Sequence, residues 1–265
     1  MPFPRPFSEQ WNCYVPLEHK LAEGAEASIH KIKDRREIAK LYKTDKRPEN
    51  LEGLLSTLAS RTKGVSGINP ILEPLRDGPA GEVIGYRAPL IRNARTLASH
   101  QFTSAFARIR AATTLARAVA AACDRGAFPS DFHFENQLID RFGGIHAIDV
   151  DSFSHTRAIY PDGVARERHF QASAAGFGPA EFMDGSERVI DERTSGFVLA
   201  EAVYFILKDV HPAQVIRNGV VVSALDSRAR YRANGRFTDD AHMAANGLTA
   251  IDLGIPWRRM PNYVR

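Results

Sequence analysis

Apolar and polar positions change their spacing more than once along this chain. Between residues 15 and 43, "VPLEHKLAEGAEASIHKIKDRREIAKLYK" places Leu17, Leu21, Ile29, Ile32, Ile38 and Leu41 in short segments. The turn-like "AEGAEA" and the charged "KDRR" interrupt them, which predicts two or three antiparallel strands. Next, "RPENLEGLLSTLASR" carries Leu51, Leu54, Leu55 and Leu58 at i, i+3, i+4 and i+7. That stripe predicts an amphipathic helix. "INPILEPLRDG" and "GEVIGYRAPLI" then read as two further strands around a turn.

Past residue 100 the spacing turns helical. Residues 102 to 125 are an Ala-rich helical stretch closed by Gly126, and "GFVLAEAVYFILKDV" is an apolar helix that stops before His211 and Pro212. Between them lies "FPSDFHFENQLIDRFGGIHAIDVDSF", residues 128 to 153, which reads as a hairpin. An irregular Gly-, Pro- and charge-rich stretch follows, from about 154 to 192. The order predicts an α+β chain, with a strand-rich part over 1–90 and a mainly helical part over 91–265. The hairpin falls just after the join, where a cleft between packed units makes a ready pocket.

Composition narrows the classes of function. The chain has 265 residues and 44% hydrophobic content, enough for a buried core. No apolar run approaches the roughly 20 residues of a membrane span. The N-terminal "MPFPRPFSEQWNCYVP" has no apolar core of the signal-peptide kind. Cys13 and Cys123 are too few for a disulfide framework, so a cytoplasmic location is expected. Net charge is +4, and basic residues recur in "KIKDRR", "RARYRANGR" and "PWRRM". Polyanionic partners are compatible with this balance, but no nucleic-acid-binding motif accompanies it.

The hairpin concentrates carboxylates and an amide. Phosphoryl transfer from a nucleotide demands a backbone cover over the phosphates, a cation on them, oxygen ligands for magnesium and a base near the acceptor hydroxyl. Asp131 and Asn136 form D-x-x-x-x-N, in which the Asp would accept the acceptor proton and the Asn oxygen would bind metal. Asp149, after the apolar "IHAI", is placed at a strand end where its carboxylate would bind magnesium. Asp140 reads as a turn residue at the hairpin tip, and His133 as a packed loop histidine.

In this order the motifs resemble the protein-kinase-like superfamily over roughly residues 15 to 212, which implies a two-lobed protein-kinase-like fold. "LAEGAEASIHKI" looks like the phosphate-covering loop, which assigns Gly24, Ala25 and Glu26 to nucleotide contact. "EIAKLYK" resembles the strand that carries the phosphate lysine, which is then Lys40. The resemblance also implies a helix acid paired with that lysine, Glu52 in preference to Glu49. "PSDFHFENQLID" is similar to the catalytic loop, "AIDVDSF" to the metal-binding loop, and "GPAEF", with Glu181, to the end of the activation segment. "AIDVDSF", "AKLY" and "LKDVHP" most resemble bacterial kinase-like domains carrying IDxDSF, some of which continue into helix-hairpin-helix segments. The implied cofactors are ATP and Mg2+, and the implied activity is transfer to Ser or Thr of a protein substrate, with no role at a membrane.

Several positions depart from the pattern. Ala22 and Ala27 flank Gly24 where glycines are usual, and Pro129-Ser130 replace His-Arg before Asp131. Asp151 stands in place of a glycine and adds a carboxylate beside the metals. Ser195 stands where an Asp ordinarily braces the catalytic loop. Two alternatives keep the fold: a small-molecule kinase similar to aminoglycoside or choline phosphotransferases, and a pseudokinase that binds nucleotide or a partner without turnover.

Overall fold

A computed structural model describes residues 5–129, 133–155, 158–159, 165–166, 192–208, 215–217 and 220–222. Seven strands form one antiparallel sheet: β1 (Pro6–Ser8), β2 (Cys13–Tyr14), β3 (Leu17–Glu23), β4 (Ala27–Ile32), β5 (Glu37–Tyr42), β6 (Glu73–Asp77) and β7 (Val83–Pro89). Their order across the sheet is β2-β1-β6-β7-β5-β4-β3. Helix α1 (Leu51–Thr62) lies between β5 and β6 in the chain, and Asn50 caps it by accepting the Gly53 amide at 3.2 Å. As the stripe predicts, Leu51, Leu54, Leu55 and Leu58 are its buried residues, together with Thr62.

The second part begins with β8 (Arg95–Thr96) and α2 (Ala105–Cys123), whose first turn Ser104 caps through the Ala107 amide at 3.1 Å. Then come β9 (Ala127–Phe128), β10 (Gln137–Ile139), β11 (Ile145–Ala147) and β12 (Ser154–His155). The expected hairpin is β10–β11, with Gln137, Leu138 and Ile139 opposite Ala147, His146 and Ile145. β8 joins its outer edge, and β9 pairs separately with β12. Two further strand pairs complete the described residues, β13 (Ala158–Ile159) with β14 (Ala165–Arg166) and β15 (Val215–Arg217) with β16 (Val220–Val222). Helix α3 (Glu192–Lys208) packs on α2, starting at Glu192 where the apolar pattern alone suggests Gly196.

The main apolar core runs from the sheet's inner face through the leucines of α1 to α2, the β10–β11 hairpin and α3. A smaller core of Val15, Ile32, Ala39, Leu41, Leu75 and Ile84 lies on the other face of the sheet, under Trp11 and Leu17. The residues preceding β3 cover that face. They are clamped by Arg87, 2% exposed, which donates to Glu73 Oε2 at 2.8 and 2.7 Å and also to Glu37 and Gln10. The Trp11 ring lies over the same guanidinium, 3.9 Å from centroid to Cζ. Glu73 is in turn held by the Ser8 hydroxyl at 2.8 Å and the Gln10 amide at 2.7 Å. The proline-rich start of the chain thus supplies two strands that its sequence did not announce.

One glycine sets the spacing of the sheet beside Lys40. A Cβ on Gly85 would stand 2.0 Å from the Lys40 carbonyl oxygen, so glycine is required for β7 to approach β5 there.

Candidate functional site

Lys40 sits in the middle of β5, and alternation along a strand puts it on the same face as Tyr42. Across the ladder its partner is Tyr86 of β7. All three side chains are buried and end on one carboxylate, that of Asp151. Lys40 Nζ donates to Asp151 Oδ1 at 3.0 Å and Oδ2 at 2.9 Å; Tyr86 donates to Oδ1 at 2.6 Å, and Tyr42 to Oδ2. Lys40 also donates to Asp149 Oδ1. A lysine at position 40 thus meets carboxylates more than a hundred positions later in the chain.

Those carboxylates are carried by a single 3-10 turn, Val150–Ser152, entered from β11. Asp149 opens the turn in the left-handed region, with φ 62° and ψ 41°. Among L residues with a Cβ, Asp and Asn tolerate this conformation best, at a cost of roughly 1–2 kcal/mol. Its carbonyl accepts both the Ser152 amide at 3.0 Å and the Ser152 hydroxyl at 2.7 Å, which holds the turn shut. Val150 and Phe153 are buried in the main core on either side. The backbone therefore turns the Asp149 carboxylate toward the sheet while apolar neighbours anchor the turn.

Electrostatics follow from this packing. Burial works against the charge on Lys40, but the Asp151 and Asp149 carboxylates outweigh it and hold the ammonium above the ordinary lysine range. Burial likewise opposes ionisation of Asp151, yet Lys40 and the two tyrosine hydroxyls keep its carboxyl below the ordinary range. Tyr86 is pushed well upward by burial and then by the Asp151 charge, so its hydroxyl stays a donor.

Asn136 comes to the same place through strand register. Its carbonyl accepts the Ile148 amide at 2.9 Å, continuing the β10–β11 ladder toward Asp149. His133 Nδ1 accepts the Glu135 amide at 3.2 Å and caps the single turn Phe134–Asn136. At the hairpin tip Asp140 Oδ1 accepts the Phe142 and Gly144 amides at 2.8 and 2.9 Å, while Oδ2 meets His146 Nε2 at 2.9 Å. It is a turn residue. Asp131 and Glu181 lie outside the described residues, as do His211 and Pro212.

The loop between β3 and β4 holds Gly24, Ala25 and Glu26, all exposed. The Gly24 amide donates to the Ala27 carbonyl at 2.8 Å, and Lys43 Nζ donates to the Gly24 carbonyl at 2.9 Å. A Cβ on Gly24 would meet only the Ala27 oxygen, at 3.6 Å. Glycine here leaves room above the turn and is not demanded by its conformation.

Two expectations need correction. Glu52 does not pair with Lys40: rotation of α1 turns its leucines inward, so Glu52 faces solvent and bonds Arg76 of β6. Glu49 is also exposed. Asp151 was expected beside metal, but Lys40, Tyr42 and Tyr86 occupy both of its oxygens, which leaves it a poor ligand. Asp149, whose side chain is 27% exposed against 5% for Asp151, and the half-buried Asn136 are the oxygen donors suited to a hard cation. Among the described residues no group of three or more His, Cys, Asp or Glu is placed to hold a metal.

Sequence reasoning missed Tyr42, Tyr86 and Lys43. Tyr42 was within reach of pattern alone, since it stands two positions beyond Lys40. Tyr86 was not, because only the β5–β7 register places it. Ser195, on α3, is buried, and its hydroxyl finds no hydrogen-bond partner among the described residues.

No family model matches the sequence, and no curated protein does. Solved structures do match, among them ROP2 from Toxoplasma gondii, described as a virulence factor with a protein-kinase fold and no enzymatic activity. The likeness has a TM-score of 0.54 at 16% identity and covers 79% of this chain and 69% of that one. At that identity the comparison establishes the fold alone: the chain is α+β with a protein-kinase-like fold.

Proposed function

We propose that this chain binds ATP with magnesium beneath the β3–β4 loop and transfers the γ-phosphoryl group to a Ser or Thr hydroxyl of a protein. The observation that carries the reading is the convergence of Lys40 and Asp149, with Asn136 arriving at the same turn through the β10–β11 ladder. Lys40 supplies the cation for the phosphates, and the Asp151 and Asp149 carboxylates keep it charged. The loop of Gly24, Ala25 and Glu26 covers the nucleotide, braced from below by Lys43. Asp149 and Asn136 are the residues to hold magnesium, which would offset phosphate charge and fix the orientation of the transferring group. Asp131 accepts the proton of the acceptor hydroxyl, a role resting on its place five residues before Asn136 in the sequence.

A second reading, nucleotide or partner binding without turnover, has its own observation. The ammonium of Lys40 is held by Asp149 as well as Asp151, so a bound magnesium ion and the lysine compete for one carboxylate. The two readings part in one experiment. The purified chain is incubated with radiolabelled ATP, magnesium and a peptide library containing Ser and Thr, beside Asp149→Asn and Asp131→Asn. Transfer that both variants reduce by about 100-fold or more supports the mechanism. Saturable ATP-magnesium binding with no transfer supports the second reading, and absence of binding overturns the first reading and the nucleotide part of the second.

A further inference from the structure

We propose that Asp151 is the positioning residue that holds Lys40 toward the phosphates, the role that the resemblance had assigned to Glu52. The proposal rests on the nucleotide-site reading above and adds to it a residue with a part of its own. Three features of the structure carry it.

The inward face of α1 offers no acid, since Leu51, Leu54, Leu55 and Leu58 fill it and Glu52 is turned outward onto Arg76. The lysine is nonetheless clamped. Asp151, 3% exposed, receives Lys40 on both oxygens and one tyrosine hydroxyl on each, so all four of its lone-pair directions are used. Tyr42 and Tyr86 rise from the same sheet face as Lys40, one beside it on β5 and the other across the ladder on β7. A carboxylate gripped by a rigid sheet is an immobile anchor, whereas Asp149 on the same turn is more exposed and suited to exchange between lysine and metal.

The arrangement changes what can loosen the lysine. Its anchor lies two residues from Asp149 on one 3-10 turn, so the lysine and the metal-binding loop are set by the same piece of backbone. Displacement of the turn would break the Lys40–Asp151 pair, and α1, which packs on that turn, would act on the lysine only through it.

The test reads the lysine directly. Full-length parent, Asp151→Asn, Asp151→Glu and Glu52→Gln proteins are treated with an N-hydroxysuccinimide ester at fixed pH, and acylation of Lys40 is followed by mass spectrometry. ATP-magnesium affinity is measured in parallel. Asp151→Asn is expected to raise Lys40 acylation by at least about tenfold and to weaken ATP-magnesium binding by a similar factor, with partial recovery in Asp151→Glu. Unchanged Lys40 acylation in folded Asp151→Asn, or a larger change in Glu52→Gln, overturns the proposal. Should Asp151→Asn fail to fold, Tyr86→Phe takes its place with an expected rise of about threefold, and no rise is again a refutation. A parent protein that binds no ATP-magnesium refutes the nucleotide reading instead, and the acylation result then decides the positioning role alone.

Discussion

Tyr86 stands directly opposite Lys40 in the β5–β7 ladder, and the two side chains share one oxygen of Asp151, at 2.6 and 3.0 Å. The pair shows how the site is assembled: two strands set the donors side by side, and a turn from the distant hairpin brings the acceptor. A hydrogen bond to a buried charge contributes more than one between neutral groups, on the order of 1.5–3 kcal/mol.

Tyr86→Phe is therefore expected to lower stability by about 1.5–3 kcal/mol, and Tyr42→Phe by a comparable amount. Because both hydroxyls serve one carboxylate, the double variant should depart from additivity by about 0.5 kcal/mol or more. Urea denaturation of the four proteins measures this. Additive losses would mean that the hydroxyls act independently.

The clamp on the outer face gives a larger effect. Replacing Arg87 by Met leaves Glu73 buried without its cation, and a loss of about 3–5 kcal/mol is expected. The residues before β3 should loosen at the same time, seen as faster amide exchange at Ser8 and Tyr14. Protection there equal to that of the parent would show that Arg87 does not bind the segment to the sheet.

Gln137 follows Asn136 and is fully buried, with neither amide atom partnered among the described residues. An unsatisfied polar side chain in a core costs about 1–3 kcal/mol, so Gln137→Met, which conserves volume, should raise the thermal midpoint. A lower midpoint would reveal a use for the amide that the packing does not show.

His30 predicts the direction of a pH effect. It is 4% exposed, it meets the Ser28 hydroxyl at 3.0 Å, and burial together with Lys20 lowers its pKa below the ordinary 6.5. The unfolded chain then takes up a proton that the folded one does not, so stability is full above the unfolded value and falls as pH drops from about 7 toward 5. His30→Gln should flatten that slope in denaturation measured across the range. An unchanged slope would assign the dependence to other groups.

Legibility differs sharply between elements. The leucine stripe of α1 and the alternation in β4 and β5 were readable because helix and strand each impose one spacing on inward positions, whatever surrounds them. Motif order marked Lys40, Asn136 and Asp149 as candidates, and the fold brings Lys40 to Asp149. The strands of residues 6–14 were not, because a proline-rich polar segment becomes β structure only where an exposed sheet edge and the Arg87–Glu73 cluster receive it.

The sequence by itself determined the order of the main elements after residue 15, the apolar faces and the chemistry available at each motif, all of which depend on neighbours a few residues apart. Tertiary structure decided which acid meets Lys40. The rotation of α1 and the β5–β7 register are set by packing of the whole sheet against the leucines, and these send Glu52 to Arg76 and Asp151 to the lysine. Such a choice depends on contacts more than a hundred residues apart, which no local pattern encodes.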